Sequence, residues 1–179
     1  MTRHQLEHII RASAMIADDG ELVIVGSQAV LGQFPDAPPF LLRSMGADVF
    51  PKNHPDRAEL IDGSIGELSP FHESFGYYAQ GVGPRTAVLP PGWQARLVPI
   101  RNENTRMATG WCLEIHDLLI AKCVAWREKD IEFIEAALRH GLARVDELER
   151  RVAQLEVDAA LREAVFRRVR GFGTGPASE

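Results

Sequence analysis

The sequence predicts an α+β fold, in which a small mixed β-sheet is flanked by helices and followed by a helical C-terminal part. Three observations predict it: an amphipathic helix leads into a continuous apolar strand, a second short strand follows, and helical spacing prevails after Asp117. The 179 residues are enough for one such core with a helical appendage. We expect a core over 1–115, helices over 116–170 and a flexible tail over 171–179.

The first elements follow from their apolar spacing. Residues 4–17 place apolar side chains on one helical face. The run 21–25 is apolar and largely β-branched, which is typical of a central strand covered on both faces. A second strand is expected over 47–50, closed by Pro51, and a helix over 55–65 that begins with proline.

The middle of the chain is rich in glycine, proline and aromatic residues. It predicts three strand-like pieces, at 75–79, 86–89 and 95–100. After it, Asp117 is well placed to cap a helix that starts at Leu118. We therefore expect a sheet region that gives way to helices near residue 115.

Composition limits the classes of function. A formal net charge of -5 excludes a protein that coats nucleic acid by its overall charge, so any such partner needs a local basic patch. Cys112 and Cys123 have apolar neighbours and no metal-binding spacing, which predicts buried thiols, with a disulfide as the alternative. The sequence has no apolar run of signal or membrane-span length, so we expect a cytoplasmic protein without a membrane partner.

The stretch "LVIVGSQAVLGQF" suggests a phosphate site. Gly26 at the end of a buried strand allows close approach of a ligand, and Ser27 adds a hydroxyl beside the amides of the next helix. A plain strand-to-helix turn is the alternative, and the spacing fits neither a dinucleotide fold nor a P-loop. Asp48, within the second strand, either lies at an exposed strand end or binds a metal ion.

Two further stretches carry candidate site residues. Lys122, between apolar neighbours, needs a path to solvent or an anionic partner, and Asp130 follows at the junction to the next helix. If Lys122 and Asp130 face the sheet, they form a phosphate-binding clamp. Otherwise they are charged side chains without a role in binding. The stretch "SPFHESFGYY" has two interpretations. In the first, its polar and aromatic side chains line a cleft, where they stack a base or bind a ribose hydroxyl; in the second, they belong to an aromatic core. The residues concerned are His72, Glu73, Tyr77 and Tyr78.

In the order of these motifs the chain resembles the polymerase-beta type nucleotidyltransferase superfamily. The resemblance is to minimal bacterial proteins related to abortive-infection and toxin-antitoxin nucleotidyltransferases. It covers residues 5–140 and is carried by "GSQAVLGQF", "SPFHESFGYYAQGVGP", "VLPPGW" and "EIHDLLIAKCVAWREKD". It implies a nucleotidyltransferase-like fold, a nucleoside triphosphate as substrate or ligand, Mg²⁺ as cofactor, and transfer of a nucleoside monophosphate to an RNA or protein hydroxyl.

The resemblance also implies roles for particular residues. Gly26 and Ser27 match the phosphate-binding turn, and Asp48 matches the second metal-binding, catalytic carboxylate. Lys122 matches a helix lysine that contacts nucleotide phosphates, and Asp130 matches the acid that follows it. Two metal ions in such a site neutralise charge on the attacking and leaving oxygens. We expect Gly26 and Asp48 to be adjacent and Lys122 to point toward the same edge.

One position departs from this pattern. Gly46 stands where the first carboxylate is expected, and glycine supplies no metal ligand unless an acid such as Glu73 or Glu114 takes its place. Two hypotheses follow: a nucleotidyltransferase with impaired catalysis, or a non-catalytic module that binds a nucleotide or a partner protein. Replacing Gly46 by aspartate is expected to increase transfer where the rest of the site is intact.

Overall fold

The computed structural model describes residues 1–173 and contains a five-stranded mixed sheet with helices, as the sequence predicts. The chain divides into two compact units. The first comprises Met1–Ala87 and Arg96–Glu114, and the second comprises Val88–Ala95 and the chain from Ile115 onward.

The first unit contains the sheet. Its strands are β1 (Glu21–Ile24), β2 (Gly46–Pro51), β3 (Tyr78–Gly81), β4 (Val98–Ile100) and β5 (Thr109–Cys112). Its helices are α1 (Arg3–Ala17), α2 (Val30–Gln33), α3 (Ala58–Ile65) and α4 (Pro70–Phe75). Short 3₁₀ turns at Ser27–Ala29, Pro39–Leu42 and Pro55–Arg57 lie in its connections.

The strand order and directions decide which strand ends lie side by side at one end of the sheet. The order is β3-β2-β1-β5-β4, with β1 antiparallel to β2 and parallel to β5, and β2 parallel to β3. The ends of β1 and β5 therefore meet the beginnings of β2 and β3. We call this end of the sheet, marked by Gly26, Gly46, Tyr78 and Glu114, the polar edge.

Helix α1 closes one face of the sheet. It begins with a capping box, in which Thr2 Oγ1 accepts from the Gln5 amide and Gln5 Oε1 accepts from the Thr2 amide at 2.7 Å. Ile10 is fully buried against β5, where a Cβ on Gly110 would lie 2.3 Å from Ile10 Cδ1. Gly110 is therefore the residue that allows α1 to pack this closely.

The sequence predictions fail in the middle of the chain. The expected strand at 75–79 is wrong in its first part, because Ser69 Oγ caps α4 and Gly76, at φ 74°, ends it. The expected strand at 86–89 is wrong, since those residues form turn and irregular backbone. A 3₁₀ turn shortens the piece expected at 95–100 to the three residues of β4, and β5 was not expected.

The second unit is helical over its described residues. Its helices are α5 (Ile115–Ala125), α6 (Glu128–Arg139), α7 (Val145–Val152) and α8 (Ala159–Gly173). Helix α5 starts before Leu118, so the expected cap is wrong: Asp117 lies in the first turn, buried against Arg151. The expected tail begins inside α8, and its residues 174–179 lie outside the described residues. Over residues 1–173, no helix combines the length and apolar character needed to cross a membrane.

Both cysteines are buried free thiols, which confirms the first of the two alternatives. Cys112 lies on β5 and Cys123 on α5. Burial raises the pKa of each thiol to about 12, so both stay protonated at neutral pH. They are core residues and not reactive nucleophiles.

Candidate functional site

The end of β1 and the start of β2 meet at Gly26. A Cβ at this position would lie 2.0 Å from Asp48 Oδ2 and 2.7 Å from Asp48 Cγ. The Val25 amide donates to the Asp48 carbonyl at 3.0 Å, which fixes the register of the two strands. The predicted adjacency of Gly26 and Asp48 is thus confirmed, and the missing side chain at Gly26 is what admits the carboxylate.

The turn after β1 is held on two sides. Gly32 lies over β5, where a Cβ would be 2.5 Å from Cys112 Cβ, so only a glycine allows this contact. The Gln28 side chain is fully buried, and its amide nitrogen donates to the Ser44 carbonyl at 3.2 Å. Ser27 and the first amides of the turn are therefore fixed at the end of β1. Their predicted role in phosphate binding stays a prediction.

Gly46 is not an open position. It pairs with Tyr78 across β2 and β3, and a Cβ on Gly46 would lie 2.6 Å from Cε2 and 2.9 Å from Oη of Tyr78. The tyrosine ring thus fills the space that a side chain at residue 46 needs. A side chain introduced at residue 46 therefore requires the Tyr78 ring to shift, and the expected gain of transfer on replacing Gly46 stays a prediction.

Tyr78 is half-buried among polar groups. Its ring packs on His72 with centroids 4.7 Å apart and planes at 53°. Burial, followed by the negative charges of Glu67 and Asp48, raises the pKa of the Tyr78 phenol above its usual value. Among residues 1–173 the hydroxyl makes no hydrogen bond, although its ring is fixed. The phenol is therefore a protonated, positioned donor at the polar edge.

Tyr77, its neighbour, has a different environment. It is buried, and its hydroxyl lies 2.7 Å from Nδ1 of His8 on α1. The rings of Phe71 and Phe75 pack around the same pair, with centroids 4.8 to 6.0 Å apart. For Tyr77, the aromatic-core alternative is therefore the one that the structure shows.

Glu114 reaches the polar edge from the other side of β1. Cys112 pairs with Ile24 in the parallel ladder, and the Leu113 amide donates to the Ile24 carbonyl at 3.1 Å. Glu114, the next residue, comes level with Gly26. Asp48 lies on β2 and Glu114 lies two residues beyond the end of β5, so the two acids are on the strand and the chain segment that flank β1. The sequence names Glu114 as an acid that arrives from elsewhere, but it does not place it, because β5 was missed.

The two-ion magnesium centre implied by the resemblance does not fit these donors. The Tyr78 ring fills the space of the first carboxylate, and over residues 1–173 no three His, Cys, Asp or Glu side chains are grouped to hold a metal ion. Mg²⁺ in nucleotide sites often keeps several waters and uses one or two carboxylates plus phosphate oxygens. The donors present suit a single ion that arrives with a triphosphate.

Lys122 and Asp130 contact each other within the second unit. Lys122 Nζ donates to Asp130 Oδ1 at 3.1 Å, and Arg127 Nε donates to Asp130 Oδ2 at 2.7 Å. Lys122 Nζ also lies 4.4 Å from the centroid of the Phe133 ring. Asp130 is therefore an anionic partner of the kind that the sequence required for Lys122, and the roles of both toward a nucleotide stay predictions.

The Asp130 cluster predicts a pH dependence of stability. Burial opposes ionisation of the Asp130 carboxyl, but hydrogen bonds from Arg127 and Lys122, with their positive charges, outweigh it and lower its pKa. A lowered pKa stabilises the fold above the unfolded value of about 3.9, and this stability is lost as pH falls through the folded pKa. Asp130→Asn should cost about 2 kcal/mol at neutral pH and much less in acid.

Urea unfolding of both forms at neutral and acidic pH measures this difference. The control is Asp56→Asn, an exposed carboxylate beside β2, which should change stability little at either pH. An Asp130→Asn effect of the same size at both pH values would contradict the assignment.

A second prediction concerns the contact at Gly26. Gly26→Ala drives a methyl group into the Asp48 carboxylate and should destabilise the protein by about 1–3 kcal/mol. Gly63→Ala, in α3 with nothing within 4 Å of the added carbon, is the control and should be neutral or stabilising. Chemical denaturation compares the two, and equal effects would show that the Gly26–Asp48 contact is not tight.

A comparison with known proteins gives the family. Residues 4–169 match the model of a family described as a nucleotidyltransferase of unknown function (DUF6036). The chain belongs to this family, in agreement with its mixed sheet and helical C-terminal part. No curated protein and no solved structure matches the chain. The narrower resemblance to abortive-infection and toxin-antitoxin proteins stays a prediction.

Proposed function

We propose that the protein binds a nucleoside triphosphate with Mg²⁺ at the polar edge and transfers its nucleotide slowly or not at all. The observation that carries this proposal is the Tyr78 ring in the space of the first carboxylate. Nucleotidyl transfer by two metal ions needs carboxylates that hold both ions, whereas binding does not. Binding therefore survives where efficient transfer does not.

The remaining groups support a weak nucleotide site. The fixed turn at Gly26 and Ser27 offers amides and a hydroxyl to phosphate oxygens. Asp48 would hold the ion that accompanies the triphosphate, and Glu114 lies at the same edge. Because the phosphates themselves supply most of the ligands to the ion, a dissociation constant in the millimolar range is expected, about 4 kcal/mol of binding free energy.

Thermal unfolding with each of the four nucleoside triphosphates tests this proposal. With Mg²⁺, at least one of them should raise the midpoint, because a ligand of the folded state stabilises it by mass action. Asp48→Asn should remove most of the Mg²⁺-dependent part, and Asp56→Asn should leave it intact. No shift with any nucleotide, or an unchanged shift in Asp48→Asn, would overturn the proposal.

One observation favours a second candidate, an active nucleotidyltransferase. Glu114 comes level with Gly26, so it is positioned to supply a carboxylate in place of the one missing at residue 46. The acceptor in that case is an RNA or protein hydroxyl. Labelled transfer that both Glu114→Gln and Asp48→Asn abolish would favour this candidate over the first.

A further inference from the structure

The Tyr78 hydroxyl lies at the polar edge, where no group within residues 1–173 forms a hydrogen bond with it. Its oxygen would lie 2.9 Å from a Cβ added to Gly46. Asp48 shares that face of β2, because alternate residues of a strand point the same way. Among residues 1–173 it makes no hydrogen bond, and Tyr78 is half-buried. This O–H is a donor that a ligand at the edge would meet.

The ring that carries this hydroxyl is fixed before any ligand arrives. Pairing with Gly46 sets its register, and His72 packs against it at 4.7 Å. His72 is itself held, because its Nδ1 accepts from the Leu68 amide at 3.0 Å. A donor that is already in position loses little conformational entropy on binding, which favours a role in recognition.

The charges around Tyr78 indicate which ligand group it meets. Burial keeps the phenol protonated, and Glu67 and Asp48 add negative charge on the same side. A phosphate oxygen that lies next to these carboxylates without a metal ion between them is electrostatically unfavourable. A neutral hydroxyl suits the position, because it accepts from Tyr78 and donates to a carboxylate. In a nucleotide, the ribose supplies such hydroxyls.

We propose that Tyr78 donates a hydrogen bond to a ribose hydroxyl of the bound nucleotide and so selects ribonucleotides over deoxyribonucleotides. This inference rests on the proposed function and names its substrate class. A site built to hydrogen-bond a hydroxyl rejects an analogue that lacks it, because the buried partners are then left unsatisfied.

Calorimetric titration with Mg²⁺ and each triphosphate, beside its 2′-deoxy and 3′-deoxy analogues, tests this role. The wild-type chain should prefer the ribonucleotide by about tenfold over at least one analogue. Tyr78→Phe keeps the ring over Gly46 and His72 and should reduce that preference to about threefold or less. Tyr77→Phe, which removes the neighbouring hydroxyl bonded to His8, should keep the wild-type ratio.

The possible results distinguish a failure of this inference from a failure of the proposed function. Wild-type binding with no preference for ribose, or a full preference in Tyr78→Phe, overturns the role of Tyr78 and leaves the proposed function standing. A wild-type chain that binds none of the triphosphates overturns both. The ratio of ribonucleotide to deoxyribonucleotide affinity is measured on the wild-type chain itself. The inference can therefore be contradicted even if the Tyr78→Phe variant is too unstable to measure.

Discussion

An aspartate introduced at Gly46 is expected to destabilise the first unit by about 3 kcal/mol and to bind no magnesium. The added Cβ meets the Tyr78 ring at 2.6 Å, so the ring or the strand must move. The new carboxylate also joins Asp48 and Glu67 in a region that is already negative. Overpacking and like-charge repulsion therefore act together.

Removing the ring is expected to change this outcome. In Gly46→Asp/Tyr78→Ala the carboxylate has room beside Asp48, and Mg²⁺ alone should then raise the thermal midpoint. Gly83→Asp, an exposed position with nothing within 4 Å of a Cβ, controls for the added charge. Equal Mg²⁺ stabilisation of the single and double variants would contradict the claim that Tyr78 blocks this position.

The second large effect is expected from Arg151→Met in the second unit. Arg151 Nη1 donates to Asp117 Oδ1 at 2.7 Å, and Asp117 is fully buried while Arg151 is 7% exposed. Truncating one partner of a buried ion pair strands the other, which typically costs about 3–5 kcal/mol. Urea denaturation of the Arg151→Met variant should therefore show a large loss of stability.

The chain supplies a matched control for this variant. Arg150 pairs with Glu147, which Arg151 also contacts, but the Arg150 side chain is 61% exposed. An exposed ion pair contributes little, so Arg150→Met should cost under about 1 kcal/mol. Similar losses in the two variants would show that the buried pair with Asp117 is not what stabilises these helices.

The predictable part of the fold is the part with strong periodicity. Helix α1 and strand β1 follow from apolar spacing that is unambiguous over a whole element. Strand β5 was missed because Thr109–Cys112 is only four residues long and contains a glycine, which is unusual within a strand. The glycine is needed there because Ile10 packs against it. For α4, Ser69 and Pro70 were available as an N-terminal signal, but the aromatic residues that follow favour a strand.

The site was predictable only where it depends on chain order. Adjacency of Gly26 and Asp48 was expected because the two predicted strands are consecutive in the chain, and it is confirmed. The Tyr78 ring over Gly46 depends on the register between β2 and β3, which no local pattern specifies. The level position of Glu114 likewise depends on the pairing of β5 with β1.

The most direct test of the central claim uses nucleoside triphosphates labelled at the α-phosphate, with Mg²⁺ and total RNA. Equilibrium dialysis should show retention of at least one nucleotide by the wild-type chain and reduced retention by Asp48→Asn. The label should be recovered as intact triphosphate, with little or none in RNA or protein. Rapid incorporation of label that Asp48→Ala abolishes, or an absence of retention, would contradict a nucleotide-binding site whose catalysis Tyr78 and Gly46 have weakened.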